Sequence, residues 1–443
     1  MENKILLVLY PYKFTEFTYY RFELAHLASK KNIKVVAHDL SSVVSNKKYN
    51  KVWKAIREKK TIKITSLFSW ISEFNKIKKT KKILIYDLLD YGNLNLQVFI
   101  IKLFLKFSKH PVLKHGIEEV TTWKAKKNLK HFFDKIFEHK FNFTIYFNKI
   151  RENIFLSLIK FIKFNKICLL VNNNVNKFKN KKNIHLVKCH SLDYSNYLLE
   201  KNRYLIKTNK KKYIIYIDNS VPYFAGDYPA EGRKLPKIDP DKWYKELNLF
   251  FDKLEIFFKA KVLIIPHSKY KIPTLKNKNI NPYFCNRTTD NSYNAVAKLT
   301  PKSLFVISQG STALSHAIVS YKPILFIYSS KSPKEWNQRR EMKDLFAQAK
   351  SIGVKPIDMA FVAKRKIIKS LTVKREKYNL YKFKHLTYKS KKPPKPINKI
   401  IEDLMNQLFE KNQFKLKNKT SFSKGLDKTI NYYKKSFNKE RAF

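Results

Sequence analysis

The chain has 443 residues, too many for one comfortable hydrophobic core and enough for two domains of roughly 200 residues each. Apolar residues make up 44% and aromatics 15%, which excludes a disordered chain. The formal charge is +58, yet only 11 of the 92 basic residues are Arg, so a scattered lysine coat is expected and not a tuned nucleic-acid reader, which would favour the two-pronged guanidinium.

In chain order, "KILLVLY" (4–10) reads as a first strand. Its apolar run of about six residues is too short for a signal peptide. A helix over 15–31 follows, with Phe17, Tyr20, Leu24 and Leu27 at spacings of three and four. Further strands are expected at 33–40, 82–89, 143–148 ("FTIYFN"), 167–172 and 184–189. Alternating apolar runs and helical patterns predict βα units around a parallel sheet.

Two of the helical stretches, 95–109 and 152–166, set Lys102, Lys106, Lys160, Lys163 and Lys166 against a broad apolar face. Such helices cover a sheet, or lie on an anionic inner membrane in peripheral contact. No window holds 18 uninterrupted apolar residues, so no spanning helix is predicted and the protein is expected in the cytoplasm. Cys168, Cys189 and Cys285 are odd in number and widely spaced, which supports neither a disulfide framework nor a zinc site.

A polar, basic stretch near 200–211 marks a boundary before the strand "YIIYID" (213–218). A second βα series follows: a helix at 240–259, "KVLIIPH" (261–267), a short helix at 291–299, "SLFVIS" (303–308), another helix, and "PILFIY" (323–328). The expected organisation is two domains, 1–205 and 206–410, and a lysine-rich tail, 411–443.

Ligands of open α/β sheets bind beyond the carboxyl ends of the strands, and three such places in the second half are chemically unusual. In "SQGSTALSHAIV", Ser308 or Ser311 can cap a helix, Gly310 permits close backbone approach, and Ser311 and Thr312 add hydroxyls. A helix start attracts an anion by roughly 0.3–1 kcal/mol, and one cap alone would not need so many hydroxyls. In "VLIIPHSKY" a buried strand runs into His267 and Lys269, which suit a phosphate. In "YIIYIDNSVPYFAGDYPAEGR" the strand ends at Asp218 and Asn219, ahead of a loop with Gly226, Asp227, Glu231, Gly232 and Arg233. Asp218 or Asp227 could orient a sugar hydroxyl or act as a base.

These motifs resemble a glycosyltransferase of the GT-B architecture, in which two Rossmann-like domains face each other across a cleft. More narrowly, "DPDKWYKELNLFFDKLEIFFKAKVLIIPHSKY" and the serine cluster are similar to transferases of bacterial surface-polysaccharide synthesis (capsule, lipopolysaccharide) that use CMP-activated Kdo or nonulosonic acids. The resemblance implies that His267, Ser308, Ser311 and Thr312 hold the donor's phosphate, with Lys269 and Gly310 beside them. The chain departs from the pattern in carrying Ser268 where Pro follows the His.

The resemblance also implies that the amino-terminal half presents a glycan or glycolipid acceptor and often a carboxylate base. Candidate bases there are Glu16, Asp87, Asp90 and the pair Glu118 and Glu119, which His115 and Gly116 precede. The nucleotide sugar is a co-substrate. No Asp-x-Asp motif flanks a strand, so metal-independent chemistry is expected. A CDP-glycerol or polyol-phosphate transferase would also pair a His with a serine-rich helix start. A non-catalytic basic protein binding membrane or nucleic acid would instead need clustered Arg and aromatic platforms.

Overall fold

A computed structural model describes residues 4–44, 61–79, 82–91, 94–117, 143–162, 164, 166–172, 184–204, 213–219, 221–222, 238–267, 282–285, 287–332, 340–390 and 393–410. The chain divides into two compact units, 1–400 and 401–443. Both sheets belong to the first; the described part of the second, 401–410, is the later part of the helix Ile397–Phe409 and the residue after it.

Strands β1 (Lys4–Tyr10), β2 (Ile33–Asp39), β3 (Ile62–Lys63), β4 (Ile83–Asp87), β5 (Val112–His115), β6 (Ile167–Val171) and β7 (Ile184–Lys188) form one sheet in the order β3-β2-β1-β4-β5-β6-β7. Every pairing in it is parallel. Strands β8 (Tyr213–Ile217), β9 (Lys261–Ile265), β10 (Val306–Ser308), β11 (Ile324–Tyr328) and β12 (Ile357–Asp358) form a second parallel sheet, ordered β12-β11-β10-β8-β9. A parallel sheet is covered on both faces, which is why its strands read as unbroken apolar runs. Both sheets are open, doubly wound and Rossmann-like. The boundary expected between 205 and 206 and the tail from 411 lie outside the described residues.

In the second sheet, the helix Pro240–Phe258 starts at an Asp239 cap with Pro240 in its first turn. It turns Trp243, Leu247, Phe250, Phe251 and Leu254 onto Tyr216, Ile264 and Ile307. The opposite face, with Ile215, Ile217, Val306 and Phe326, is covered by Ala295, Leu314, Ile318, Leu345 and Tyr378. Burying one such Leu or Phe side chain contributes about 1.5–3 kcal/mol.

Three expectations change. The strand expected at 143–148 is the start of a helix, Phe143–Phe161. A short aromatic and β-branched run fits either state, and the lateral position beside β5 is taken by β6. The helix expected over 15–31 is broken into Glu16–Arg21 and Leu24–Ala28 by Glu23, whose φ of 57° is left-handed. That conformation costs a non-glycine residue about 1–2 kcal/mol. It turns Phe22 inward against the rings of Tyr10, Tyr86 and His115, and lets buried Glu23 Oε2 accept from Asn398 N–H at 2.8 Å.

The third change concerns Lys102, expected on a polar outer face of its helix. The helix Leu96–Phe107 buries it completely, with Nζ 3.0 Å from Asp87 and 2.7 Å from Asp90. Burial acts to depress the ammonium, but Asp87 and Asp90 outweigh it and hold the Lys102 pKa above its ordinary value.

Candidate functional site

The order of the second sheet reverses at β8. The chain leaves β8 through the helix Pro240–Phe258 on one face to β9, then returns through the helix Ala295–Leu299 on the other face to β10. The carboxyl ends of β8 and β10 therefore lie side by side at a topological switch point, where doubly wound folds bind ligands. Ser308 is level with Ile217 in this register, which brings Gln309 beside Asp218.

Tyr216 joins them. Its hydroxyl lies 3.2 Å from Asp218 Oδ1 and 3.1 Å from Gln309 Oε1, so it can donate to either. The ring is fully buried, and burial, followed by the Asp218 charge, pushes the phenol well above its ordinary pKa. Tyr216 is thus a permanent donor that fixes two strand-end side chains. Asp218 is itself buried, and its backbone N–H donates to Ile265 O at 2.9 Å, which ties the end of β8 to that of β9. His267 stands two residues beyond that carbonyl and is half-buried.

The serine cluster is a turn more than a helix start. Ser308 is buried, and its hydroxyl accepts from Gly310 N–H at 3.3 Å. Gly310 has a φ of 93°, a left-handed value that suits glycine, and its carbonyl accepts from Asn219 Nδ2 at 3.5 Å. The Ser311 hydroxyl caps a short 3-10 turn, Thr312–Leu314, by accepting from Ala313 N–H. The helix expected from residue 311 is only the five residues Ser315–Val319, too short for a sizeable macrodipole. Gly310 and Thr312 are exposed and Ser311 is half-buried, so backbone N–H groups and hydroxyls are what this turn offers an anion. His316, inside the short helix, is buried and pushed below its ordinary pKa by that burial, so it supplies no cation there.

Lys269, the glutamates Glu118 and Glu119, and the loop carrying Gly226, Asp227, Glu231, Gly232 and Arg233 lie outside the described residues. Of the amino-terminal candidates, Glu16 opens a helix capped by Thr15 and is half-buried. Asp87 is committed to Lys102. Burial acts to raise its carboxyl, but Lys102 and Lys114 outweigh burial and lower it. His115 ends β5 with Nδ1 2.9 Å from the Tyr86 hydroxyl, which orients the ring. A Cβ on Gly116 would meet the Leu169 side chain at 2.8 Å, so this turn admits only glycine without a shift.

Tyr216 is not among the candidate residues of the three strand-end motifs, yet the sequence carries its signal: in a strand ending at Asp218, position 216 shares a face with the carboxylate. Among the described residues, no three His, Cys, Asp or Glu side chains are grouped to hold a metal ion.

No family model and no curated protein matches the chain. Similar solved structures include a UDP-GlcNAc 2-epimerase from Methanocaldococcus jannaschii, at 11% identity over 91% of this chain and 99% of that one, with a TM-score of 0.41. The wall teichoic acid polymerase TagF is 12% identical over 92% of this chain and 89% of that one, with a TM-score of 0.41. Phytolacca americana UGT2, complexed with UDP-2-fluoro-glucose and pterostilbene, is 10% identical over 93% of this chain and 96% of that one, with a TM-score of 0.39.

Proposed function

We propose that the chain is a glycosyltransferase that moves a sugar from a nucleotide-activated donor, CMP-Kdo or a CMP-nonulosonic acid, to a surface glycan or glycolipid. The observation that carries this reading is the meeting of β8 and β10 at the switch point, where buried Tyr216 holds Asp218 and Gln309 beside the Gly310-Ser311-Thr312 turn, exposed at Gly310 and Thr312. In this reading residues 206–410 form the donor domain and residues 1–205 the acceptor domain.

The roles follow from the chemistry of the transfer. The leaving nucleotide phosphate gains negative charge in the transition state, so preorganised donors at that point lower the barrier. Thr312 N–H, the Ser311 and Thr312 hydroxyls, His267 and Lys269 supply them, and Gly310 lets the phosphate approach the backbone. Ser308 shapes the turn through its bond to Gly310. Asp218 orients the donor sugar. The acceptor hydroxyl loses its proton to Glu118 or Glu119, which follow His115 closely in the chain.

A donor screen tests the reading. CMP release from a CMP-sugar, lost with Thr312→Ala but retained with a surface Lys→Ala control, is the expected result. Turnover of CDP-glycerol alone would assign a polyol-phosphate transferase, and the absence of any nucleotide binding by calorimetry would overturn the site.

A further inference from the structure

The helices Leu96–Phe107 and Phe143–Phe161 lie against one face of the first sheet, where Val98, Ile101, Leu105 and Ile159 enter the core. They touch each other, with the Phe99 and Phe155 rings 6.4 Å apart. Their outward sides are not polar. Ile150 is 58% exposed, Ile154 54%, Phe161 80% and Phe107 73%, with Phe104 and Leu158 exposed beside them. On the second helix, 150, 154, 158 and 161 follow one helical face. Lys102, which the sequence pattern placed outside, is instead buried on Asp87. Each helix therefore has an apolar inner side and a second apolar stripe facing outward.

We infer that this outward face docks on an anionic lipid surface. A stripe of aliphatic and aromatic side chains needs an apolar phase, which a nucleic acid does not offer. The charge around it selects among apolar partners. The first helix carries no acidic residue, and the second carries Lys149, Arg151 and Lys160 against a single acid, Glu152. Lys106 sits at the edge of the patch, its ammonium 5.7 Å from the Phe107 ring centre, and Lys109 and Lys166 are exposed nearby in sequence. A second copy of this chain would bring the same positive charge to the interface, which like-charge repulsion disfavours. A bilayer rich in anionic headgroups offers both the hydrocarbon and the countercharge. No described helix is long and apolar enough to cross a membrane, so the face lies in the interface plane.

The test is co-sedimentation of the full chain with vesicles of phosphatidylglycerol and phosphatidylcholine, and with phosphatidylcholine alone, at low and high salt. Two variants accompany it: Phe107→Ser/Ile154→Ser/Phe161→Ser, and Lys106→Glu/Arg151→Glu. These side chains are exposed except for half-buried Lys106, and thermal melting serves as the folding control. The wild type should bind the anionic vesicles and keep part of that binding at high salt. The apolar triple variant should lose binding tenfold or more at both salts, and the charge variant chiefly at low salt. Wild-type binding that vanishes entirely at high salt and is unchanged in the triple variant would reduce the contact to the lysine coat and overturn the inference. So would a dimer that the triple variant dissociates while its vesicle binding stays intact. No donor is involved, so the outcome is independent of the transferase reading.

Discussion

Tyr20 and Tyr293 stack face to face, their ring centres 4.0 Å apart and their planes 12° from parallel. Tyr20 belongs to the helix after β1, and Tyr293 precedes the helix that leads into β10. The pair thus joins elements of the two sheets, and Asn294 beside it donates to Glu200 Oε1 at 2.6 Å. Aromatic pairs contribute about 0.5–1.5 kcal/mol beyond their burial. A double-mutant cycle with Tyr20→Ala and Tyr293→Ala, read by urea unfolding, should return a coupling of about that size. An additive result would show that the stack holds nothing.

Removing the Tyr216 hydroxyl should disturb the candidate site more than the fold. Tyr216→Phe preserves the ring packing against Phe251 and Phe284 and deprives Asp218 and Gln309 of their shared donor. A lost hydrogen bond at a buried acceptor costs about 1–3 kcal/mol. Nucleotide affinity measured by calorimetry should fall roughly tenfold, about 1.4 kcal/mol. A variant that binds nucleotide as the wild type does would detach Tyr216 from the site.

Gly310 separates backbone need from space. A Cβ there would meet Leu345 Cβ at 3.5 Å, an ordinary contact, so the strain of Gly310→Ala comes from the φ of 93° alone. The expected loss is about 1–2 kcal/mol. Asn tolerates left-handed conformations better than Ala, so Gly310→Asn should melt closer to the wild type. Equal melting temperatures for both variants would contradict this account.

The buried Lys102 should be among the least replaceable side chains. Lys102→Met leaves Asp87 charged and unpaired in the core, which costs about 3–5 kcal/mol, and adding Asp87→Asn should recover part of it. The Asp87 carboxyl is held below its ordinary value, so its contribution is complete above the ordinary 3.8 and is lost as pH falls through the lower folded value. Acid unfolding of the wild type, compared with that of the double variant, measures it.

Glu23 runs the other way. Burial pushes its carboxyl up to about 7, against the lowering effect of Ser195 and Asn398 N–H. A carboxyl raised on folding favours the fold below the unfolded value of 4.5, and that advantage is lost as pH rises through about 7. Glu23→Gln has no proton to lose. Between pH 5 and 8 (about the range in which this group titrates) its stability should gain on the wild type by roughly 3 kcal/mol. Parallel pH profiles would refute the raised value.

The strands and the strand-end residues were legible in the sequence because parallel sheets write themselves as unbroken apolar runs. "KILLVLY" and "YIIYID" could be read at sight. What was not legible depends on partners distant in the chain. The inward turn of Lys102 needs Asp87 and Asp90 from another element, and the elbow at Glu23 needs Asn398. "FTIYFN" carries strand propensity that its helix overrides. The serine cluster was found by its composition, but its conformation, a 3-10 turn with a left-handed glycine, was not.

The last strands of the first sheet are finished by a late part of the chain. Asn172 Nδ2 donates to His385 O, Ser191 N–H to Leu386 O, Thr387 Oγ1 bonds His190 Nδ1 at 2.7 Å, and Tyr388 stacks on the His190 ring. The first of these contacts spans 213 residues and the third 197. During synthesis, β6 and β7 therefore emerge from the ribosome well before the segment that closes their rim. A chain halted before His385 carries every strand of both sheets but lacks the segment that closes the rim of the first.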